Sequence, residues 1–113
     1  MSYRVVFLEE AERDMNGIEE YLSQFYPSTA RNFFAQLKKK LSLLEEQPFM
    51  YQVYEDDPYF RRMVVDDYLL FYNIDENRKL AIVHRIFHSS RDISRQILKH
   101  RSESSYMSAT SSS

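Results

Sequence analysis

The segment YLLFYNID, Tyr68–Asp75, decides how the rest of the chain must be arranged, because it is apolar at nearly every position. Asn73 is the one clearly polar side chain between Tyr68 and Ile74. Successive side chains of a strand point to opposite faces of its sheet, so this run presents apolar groups on both faces. Such a pattern is typical of a buried strand, and we expect this segment to be the central strand of a sheet.

Two further strands are predicted beside this segment. FRRMVVD, Phe60–Asp66, leads into it through the turn at Asp66–Asp67, and LAIVHRIF, Leu80–Phe87, follows the turn ENRK. Because the connections are short, the three strands should form an antiparallel meander. The two-residue period of the last strand predicts two faces, with Ile82, His84 and Ile86 on one and Ala81, Val83, Arg85 and Phe87 on the other.

The N-terminal half combines one strand with two helices. YRVVFL, Tyr3–Leu8, is rich in β-branched and aromatic residues and predicts a strand. From Glu9 an apolar stripe recurs every three or four positions and predicts a helix; it consists of Ala11, Met15, Ile18, Leu22 and Phe25. Gly17 lies inside this helix, and we expect close packing of two helices to explain it. Pro27 starts a second helix that ends before Pro48, and the short connection predicts an antiparallel hairpin.

The predicted fold is α+β with the order β-α-α-β-β-β, in which the helix hairpin and the sheet form two layers. ISRQILK, Ile93–Lys99, predicts one short helix after the last strand. The 113 residues suit a single domain, which we assign to residues 1–99. Residues 100–113 are rich in serine and too polar to pack, so we expect them to form a disordered tail.

Composition narrows the class of protein. The chain has no cysteine, which excludes disulfides and cysteine-based metal sites. No apolar run approaches the roughly 20 residues of a membrane span, and acidic residues follow MSYRVVFL too soon for a signal peptide. We therefore expect a cytoplasmic protein with no membrane partner. A net charge of −2 and a pI near 5.9 do not suit a strong nucleic-acid-binding surface.

Signatures of cofactor and metal chemistry are missing from the sequence. The single glycine excludes a glycine-rich phosphate loop, and we predict no cofactor and no small-molecule substrate. His84 and His88 lie four apart on a strand without the further ligands that a metal site needs, so we predict no metal. RNA cleavage without metal requires only cations and an acid or base; the candidates for such a site are Arg62, Arg85, His88 and Arg91.

Three segments taken together point to a known group of proteins. They are YRVVFLEEAERDMNGIEEYL near the start, VVDDYLLFYNID in the middle and IFHSSRDI near the end. Their order and spacing over about residues 3–98 resemble the RelE/ParE superfamily of toxins from bacterial type II toxin–antitoxin systems. The resemblance implies a small cytosolic toxin whose partner is a cognate antitoxin, which wraps the toxin with a helical and an extended segment and holds it inactive.

Within this superfamily the chain looks closer to the ParE branch than to the RelE branch. Leu69 occupies the place where RelE-like toxins carry a catalytic arginine, and Ser90 and Gln96 fall near the late arginine and tyrosine of that pattern. His88 followed by Asp92 resembles ParE, and the resemblance implies that these two residues fix a loop by hydrogen bonds. A helical pattern also looks like ParE; it consists of Ala11, Asp14, Ile18 and Tyr21.

The ParE resemblance implies a protein that poisons DNA gyrase and is not an enzyme. The alternative implied by the RelE branch is a metal-independent endoribonuclease that cuts messenger RNA in the ribosomal A site, with the ribosome and mRNA as partners. A third possibility is a degenerate member that only binds its antitoxin. Leu69 favours the first or third over the second, because a leucine cannot bind a phosphate.

The loop FMYQVYEDDPY, Phe49–Tyr59, offers more apolar surface than one small core needs. We expect part of this loop, together with an edge strand, to receive the antitoxin as an added strand. Nearby arginines would meet antitoxin carboxylates and speed association. The predicted antitoxin-binding residues are Tyr51, Tyr54, Arg61, Arg62 and Arg85.

Overall fold

A computed structural model describes residues 2–103 and contains four strands and three helices within that range. The elements are β1 (Arg4–Phe7), α1 (Glu9–Phe25), α2 (Pro27–Glu46), β2 (Arg61–Val65), β3 (Tyr68–Asp75), β4 (Leu80–His88) and α3 (Ile93–Glu103). The strands form one sheet in the order β1-β4-β3-β2. The predicted α+β class and the order of the first six elements are confirmed.

The sheet is mixed because β1 pairs in parallel with β4, while β2, β3 and β4 form the predicted antiparallel meander. A parallel neighbour requires a long crossover, and the α1–α2 hairpin supplies it. β3 lies inside the sheet between β2 and β4, as its apolar pattern predicts. The hairpin covers one face, and its core reaches from Phe33 and Leu44 to Leu70 and Tyr72.

The second face of the sheet is covered by α3 and the loop before β2. Phe60, Phe71 and Phe87 pack there against Ile97 of α3, and Tyr54 of the loop packs with them. The core beneath the helix hairpin also contacts this loop, because the buried Tyr72 hydroxyl donates a hydrogen bond to Pro48 O at 2.6 Å. Both faces of the sheet are therefore occupied by the protein's own residues.

The predicted division of β4 into two faces is wrong after His84. Phe71 lies opposite Arg85 whereas Tyr72 lies opposite Val83, so β4 holds an extra residue, His84, at a β-bulge. The bulge shifts the alternation by one residue. Val83 and Ile86 both enter the core beneath the hairpin, while His84 turns to the face covered by α3.

A chain of buried polar groups crosses this second face. His84 Nε2 donates to Asn73 Oδ1 at 2.8 Å, and Asn73 Nδ2 donates to the Tyr59 hydroxyl at 3.1 Å. With its Nε2 protonated, the neutral His84 ring accepts at Nδ1 a hydrogen bond from His100 Nε2 at 2.9 Å. Burial, reinforced by the neighbouring His100, lowers the pKa of His84 to about 3, and burial also lowers the pKa of His100.

The C-terminal helix is longer than the sequence predicted. It continues past Lys99 to Glu103, so the first four residues of the predicted tail, 100–103, are helical. His100 is only 4% exposed, and the Arg101 guanidinium pairs with Asp57 while lying 4.6 Å from the centre of the Tyr59 ring. The predicted boundary at residue 99 is therefore too early, because His100 is buried and hydrogen-bonded to His84 in the interior. The rest of the predicted tail, 104–113, lies outside the described residues. Among residues 2–103 no helix has the length and apolar character that a membrane span requires.

Lowering the pH from 7 to 5 should reduce the free energy of unfolding. Both buried histidines have a folded pKa below the ordinary value of 6.5, so the unfolded chain binds protons that the folded chain does not. The stability linked to them is full above about pH 6.5 and is lost as the pH falls, by up to about 1.4 kcal/mol per pH unit for each histidine. Urea unfolding measures the slope in this range, where most carboxylates stay ionised.

Two variants identify the source of this slope. His100→Gln removes one of the two groups and should reduce the slope. His88→Gln, which changes an exposed histidine, keeps both buried rings and should leave the slope unchanged. A free energy of unfolding that stays constant between pH 7 and pH 5 in the unaltered chain would contradict the assignment.

A chain that ends after Lys99 should unfold at a lower temperature than one that ends after Glu103. The shorter chain lacks His100, which leaves His84 Nδ1 buried without its donor, at a cost of about 1–3 kcal/mol. The chain that ends after Glu103 lacks only residues 104–113, so its comparison with the full chain measures the effect of that serine-rich segment separately. Equal melting temperatures for the two truncated chains would mean that the last turn of α3 contributes nothing.

Candidate functional site

The carboxylate of Asp14 fixes α1 against the end of β4. β1 ends at Phe7, opposite Val83, so β4 continues for several residues without a neighbour on that side. Asp14 takes the place of the missing strand, because its Oδ2 accepts the Ile86 N–H at 2.9 Å. The same carboxylate accepts two hydrogen bonds from Arg85, at 2.7 and 3.0 Å. The charge of Arg85, a predicted nuclease and antitoxin residue, is thus already paired.

This arrangement leaves an open groove of about 920 Å³ between α1 and the far end of the sheet. We call it the α1–β4 groove. The α1 side of it is formed by Arg13, Gly17, Ile18 and Tyr21. The opposite side is formed by Asp66, Asp67, Tyr68, His88 and Arg91. Of the four predicted nuclease residues, only His88 and Arg91 line it.

Gly17 lies in the wall of the groove and is not explained by packing. A Cβ built at this position meets nothing within 4 Å, so the predicted close contact between the two helices is wrong. The backbone there is ordinary α-helix without a positive φ. A glycine inside a helix costs about 1 kcal/mol relative to alanine. No packing contact at Gly17 offsets this cost. The helix surface that faces the groove at this position carries no side chain.

Exposed aromatic side chains gather where α1 meets α2. Tyr21, Phe25 and Tyr26 are 50%, 57% and 53% exposed. The Tyr21 ring centre lies 5.3 Å from that of Phe25 and 5.9 Å from that of Tyr26. We call these three residues the aromatic corner. Large side chains clustered on a surface commonly mark a binding site, and Tyr21 and Tyr26 continue directly into the groove.

The other end of the groove is set by a rigid loop after β4. Ser90 N–H donates to His88 Nδ1 at 3.1 Å, and Ser90 Oγ lies 2.7 Å from the same atom. The His88 ring also meets the Tyr68 ring edge to face at 5.2 Å. His88 thus contacts Ser90 within the loop, and the loop-fixing role predicted for His88 and Asp92 stays a prediction. Asp92 directly precedes α3, and within residues 2–103 its carboxylate has no hydrogen-bond partner.

The turn between β2 and β3 adds two carboxylates to the groove. Its backbone is held firmly, because Asp66 N–H donates to Gln36 Oε1 at 2.8 Å and Ser89 N–H donates to Asp67 O at 2.9 Å. Asp66 has a positive φ of 55°, which aspartate tolerates better than most residues. Both side chains are exposed, and neither forms an ion pair within the described part of the chain.

The remaining predicted antitoxin residues lie elsewhere. The Tyr54 ring is only 8% exposed and its hydroxyl bonds to Asp56 and Ser94, so the expectation that it offers its ring to a partner is wrong. Arg61 donates to Tyr51 O at 2.7 Å and braces the loop that holds Tyr51. Arg62 is half-buried on β2 and has no ion pair within residues 2–103. Exposed apolar groups of this loop are Phe49, Met50 and Val53.

A second open surface runs along β1, on the far side of the helix hairpin. Arg4 and Leu8 direct their N–H groups to β4, so the alternating N–H groups of Val5 and Phe7 point away from the sheet. An apolar pocket of about 380 Å³ lies beside them. We call this surface the β1–α2 edge, and its pocket is lined by Val5, Phe7, Phe34, Leu37, Lys38, Leu41, Ser42 and Glu45.

The β2 edge, which the sequence favoured for strand addition, is already occupied. Val53 forms a bridge with Arg61, and Arg62 N–H donates to Gln52 O at 3.0 Å. Further along, the Lys40 ammonium donates to Val64 O. Residues 2–103 contain no group of three metal-ligating side chains. The sequence pattern pointed to neither Gly17 nor the Asp66–Asp67 carboxylates as part of an open surface.

Solved structures with the same fold come from toxin–antitoxin systems. A chain of the RelBE2 toxin–antitoxin complex from Mycobacterium tuberculosis is 20% identical, with a TM-score of 0.56 over 78% of this chain and 99% of that one. A chain of the chromosomal ParDE system from P. aeruginosa is 13% identical, with a TM-score of 0.62 over 76% and 95%. The isolated E. coli RelE toxin is 22% identical, with a TM-score of 0.54 over 86% and 96%.

Sequence comparison identifies the family more directly. No curated protein sequence matches significantly. The sequence model of a family described as the ParE toxin of the type II toxin–antitoxin system parDE matches residues 5–93. This match spans well over half of the chain and includes most of β1, the helix hairpin and the whole meander. The chain therefore belongs to the ParE toxin family of type II toxin–antitoxin systems.

Proposed function

We propose that the chain inhibits cell growth by binding DNA gyrase in the cytoplasm, and that a cognate antitoxin holds it inactive. The observation that carries this proposal is the dispersal of the cations that a nuclease would need. Arg85 is paired with Asp14. Arg62 lies on β2 and does not line the groove that holds His88 and Arg91. The geometry therefore favours binding over bond cleavage.

Two features of the groove argue against RNA as its substrate. The carboxylates of Asp66 and Asp67 line it and would repel phosphates, and they outnumber the one lining guanidinium without an ion pair in residues 2–103, that of Arg91. Phosphate contacts supply most of the affinity for nucleic acid. His88 Nδ1 is already engaged by Ser90, which leaves only Nε2 for proton transfer. On the sheet itself, Leu69 packs against the aromatic core beneath α3 and offers no group that binds a phosphate.

The purified chain should inhibit supercoiling by DNA gyrase, and its induction in cells without antitoxin should stop growth and cause DNA-damage signalling. The reason is that a binding poison needs only a complementary surface on the enzyme. Supercoiling assays on plasmid DNA and primer extension on cellular mRNA test this together. Codon-specific cuts in mRNA with normal gyrase activity would instead support the RelE-like alternative, and normal growth would support a member that only binds antitoxin.

For the antitoxin we propose the β1–α2 edge as the main binding surface. The Val5 and Phe7 N–H groups offer main-chain hydrogen bonds to an added strand, and the adjacent pocket can receive its apolar side chains. Basic side chains flank this edge, among them Arg4, Lys38 and Lys79, all of which are exposed. An extended antitoxin segment with carboxylates beside apolar residues fits both features.

Val5→Pro should weaken antitoxin binding at least ten-fold, because proline removes an outward N–H and leaves the bonds between β1 and β4 in place. Lys38→Glu should slow association, most clearly at low salt. Lys39→Glu is its matched control, since Lys39 is an exposed neighbour that does not line the pocket. Calorimetry and stopped-flow association with the adjacently encoded antitoxin provide the measurements. Unchanged affinity in a folded Val5→Pro variant would move the antitoxin to the exposed loop at Phe49, Met50 and Val53.

A further inference from the structure

We propose that the α1–β4 groove is the surface by which this toxin grips its target protein, and that it takes a segment of that protein bearing a lysine or arginine. This rests on the proposed function in one respect, namely that the chain acts by binding. It does not depend on the identity of the target. Three observations carry the proposal: a bare strip of helix, an exposed aromatic corner and a pair of unpaired carboxylates. The groove is also distinct from the surface proposed for the antitoxin.

The bare strip is the most specific of these observations. Gly17 is the only glycine in the chain, yet neither its backbone conformation nor its surroundings require glycine. Arg13 and Tyr21 lie one helical turn before and after it and line the same groove. A side chain at position 17 would project into that space. A helix surface that stays bare between two long side chains allows the main chain of a bound segment to approach closely.

The aromatic corner gives the bound segment an apolar contact. Tyr21, Phe25 and Tyr26 are each about half exposed, although the core beneath them is complete without their outer faces. Aromatic and tyrosine-rich surfaces dominate the energetics of protein interfaces. Their position at one end of the groove means that a segment lying over Gly17 also meets these rings.

The charges of the groove favour a basic side chain. Its lining includes two carboxylates without an ion pair in residues 2–103 but only one such guanidinium, that of Arg91, because Arg13 is paired with Glu9. Asp66 and Asp67 reach it from a turn whose backbone is held by Gln36 and Ser89, so the carboxylates are presented without the freedom of a loose loop. Tyr68 and Tyr21 line the same groove as these acids. A lysine or arginine there meets carboxylates and tyrosine rings at once, which favours a cation. Nucleic acid would meet the same carboxylates with its phosphates, and a protein segment is the better fit.

The groove and the antitoxin edge are different surfaces. No residue lines both the α1–β4 groove and the pocket of the β1–α2 edge. The first uses α1, the β2–β3 turn and the end of β4, and the second uses β1 and the outer face of α2. A change in the groove can therefore remove target binding without removing antitoxin binding, which makes the proposal testable on the folded protein.

The central experiment replaces Gly17 with glutamine. Gly17→Gln should fold with an equal or higher melting temperature, because glutamine favours helix more than glycine and meets no neighbour. Its affinity for the antitoxin should stay within two-fold. Its ability to arrest growth should fall at least ten-fold, measured as the inducer concentration that halves plating efficiency at equal protein levels. Ser23→Gln, on the exposed face of α1 away from the groove, is the matched control and should arrest growth normally.

A second pair of variants tests the choice of a cation. Asp67→Asn keeps the shape of the side chain and removes its charge, and growth arrest should weaken several-fold. Glu76→Gln removes one exposed charge from the β3–β4 turn at the opposite end of the sheet and should have no effect. An Asp67→Asn variant as toxic as the unaltered chain would overturn the requirement for a basic segment.

The outcomes separate this inference from the proposed function. A stable Gly17→Gln variant that arrests growth fully, or one that loses antitoxin binding, would overturn the groove as the target surface. Binding of a single-stranded RNA oligonucleotide that is lost in Gly17→Gln would also overturn it, in favour of RNA. If the unaltered chain leaves gyrase supercoiling normal while Gly17→Gln still loses toxicity, the gyrase proposal fails and the groove proposal stands.

Discussion

The contact of Asp14 with β4 is the constraint on which the rest of the molecule depends. β1 is only four residues long, so β4 would run on with an unpaired edge. The Asp14 carboxylate satisfies the Ile86 N–H and the Arg85 guanidinium together, and an unsatisfied N–H in such a place costs about 1–3 kcal/mol. Together with the apolar packing of Ala11, Ile18 and Leu22, this contact fixes α1 against the sheet. The α1–β4 groove lies beside it.

Regular patterns in the sequence predicted most of the fold, and the failures have a common physical origin. The apolar run at Tyr68–Asp75 and the stripe on α1 reflect burial by whole layers, so periodicity alone reveals them. A β-bulge leaves no such trace, because it changes which face receives a side chain without changing its chemistry. His84 and His100 were separated in the prediction by the assumed end of the domain, yet each is the hydrogen-bond partner of the other. The candidate site was harder to predict than the fold. The role proposed for Gly17 depends on the empty space beside it in the folded chain, which the sequence does not reveal.

Charge is divided between the two open surfaces in a way that net charge conceals. Besides Arg13 and Arg91, the groove presents the unpaired carboxylates of Asp66 and Asp67. Besides Glu45, the β1–α2 edge presents the basic side chains of Arg4, Lys38 and Lys79. A chain with a formal charge of −2 can thus attract partners of opposite sign at different places. On the proposals made above, the acidic segment of an antitoxin and the basic segment of a target would not compete for the same charges. Neutralisation would then act by blocking access or by restricting movement, and occupation of the groove itself would not be required.

The covering of both sheet faces explains why binding must occur at edges and ends. α3 and the loop around Tyr54 bury the face that holds Leu69 and Phe71, and the helix hairpin buries the other. A strand edge binds through main-chain groups, which are the same for any sequence, so it tolerates change in the side chains around it. A groove binds through individual side chains, and on the proposal made above even the lack of one, at Gly17, contributes. On these proposals the antitoxin surface tolerates changes in its side chains, whereas a few substitutions in the groove would suffice to change the target.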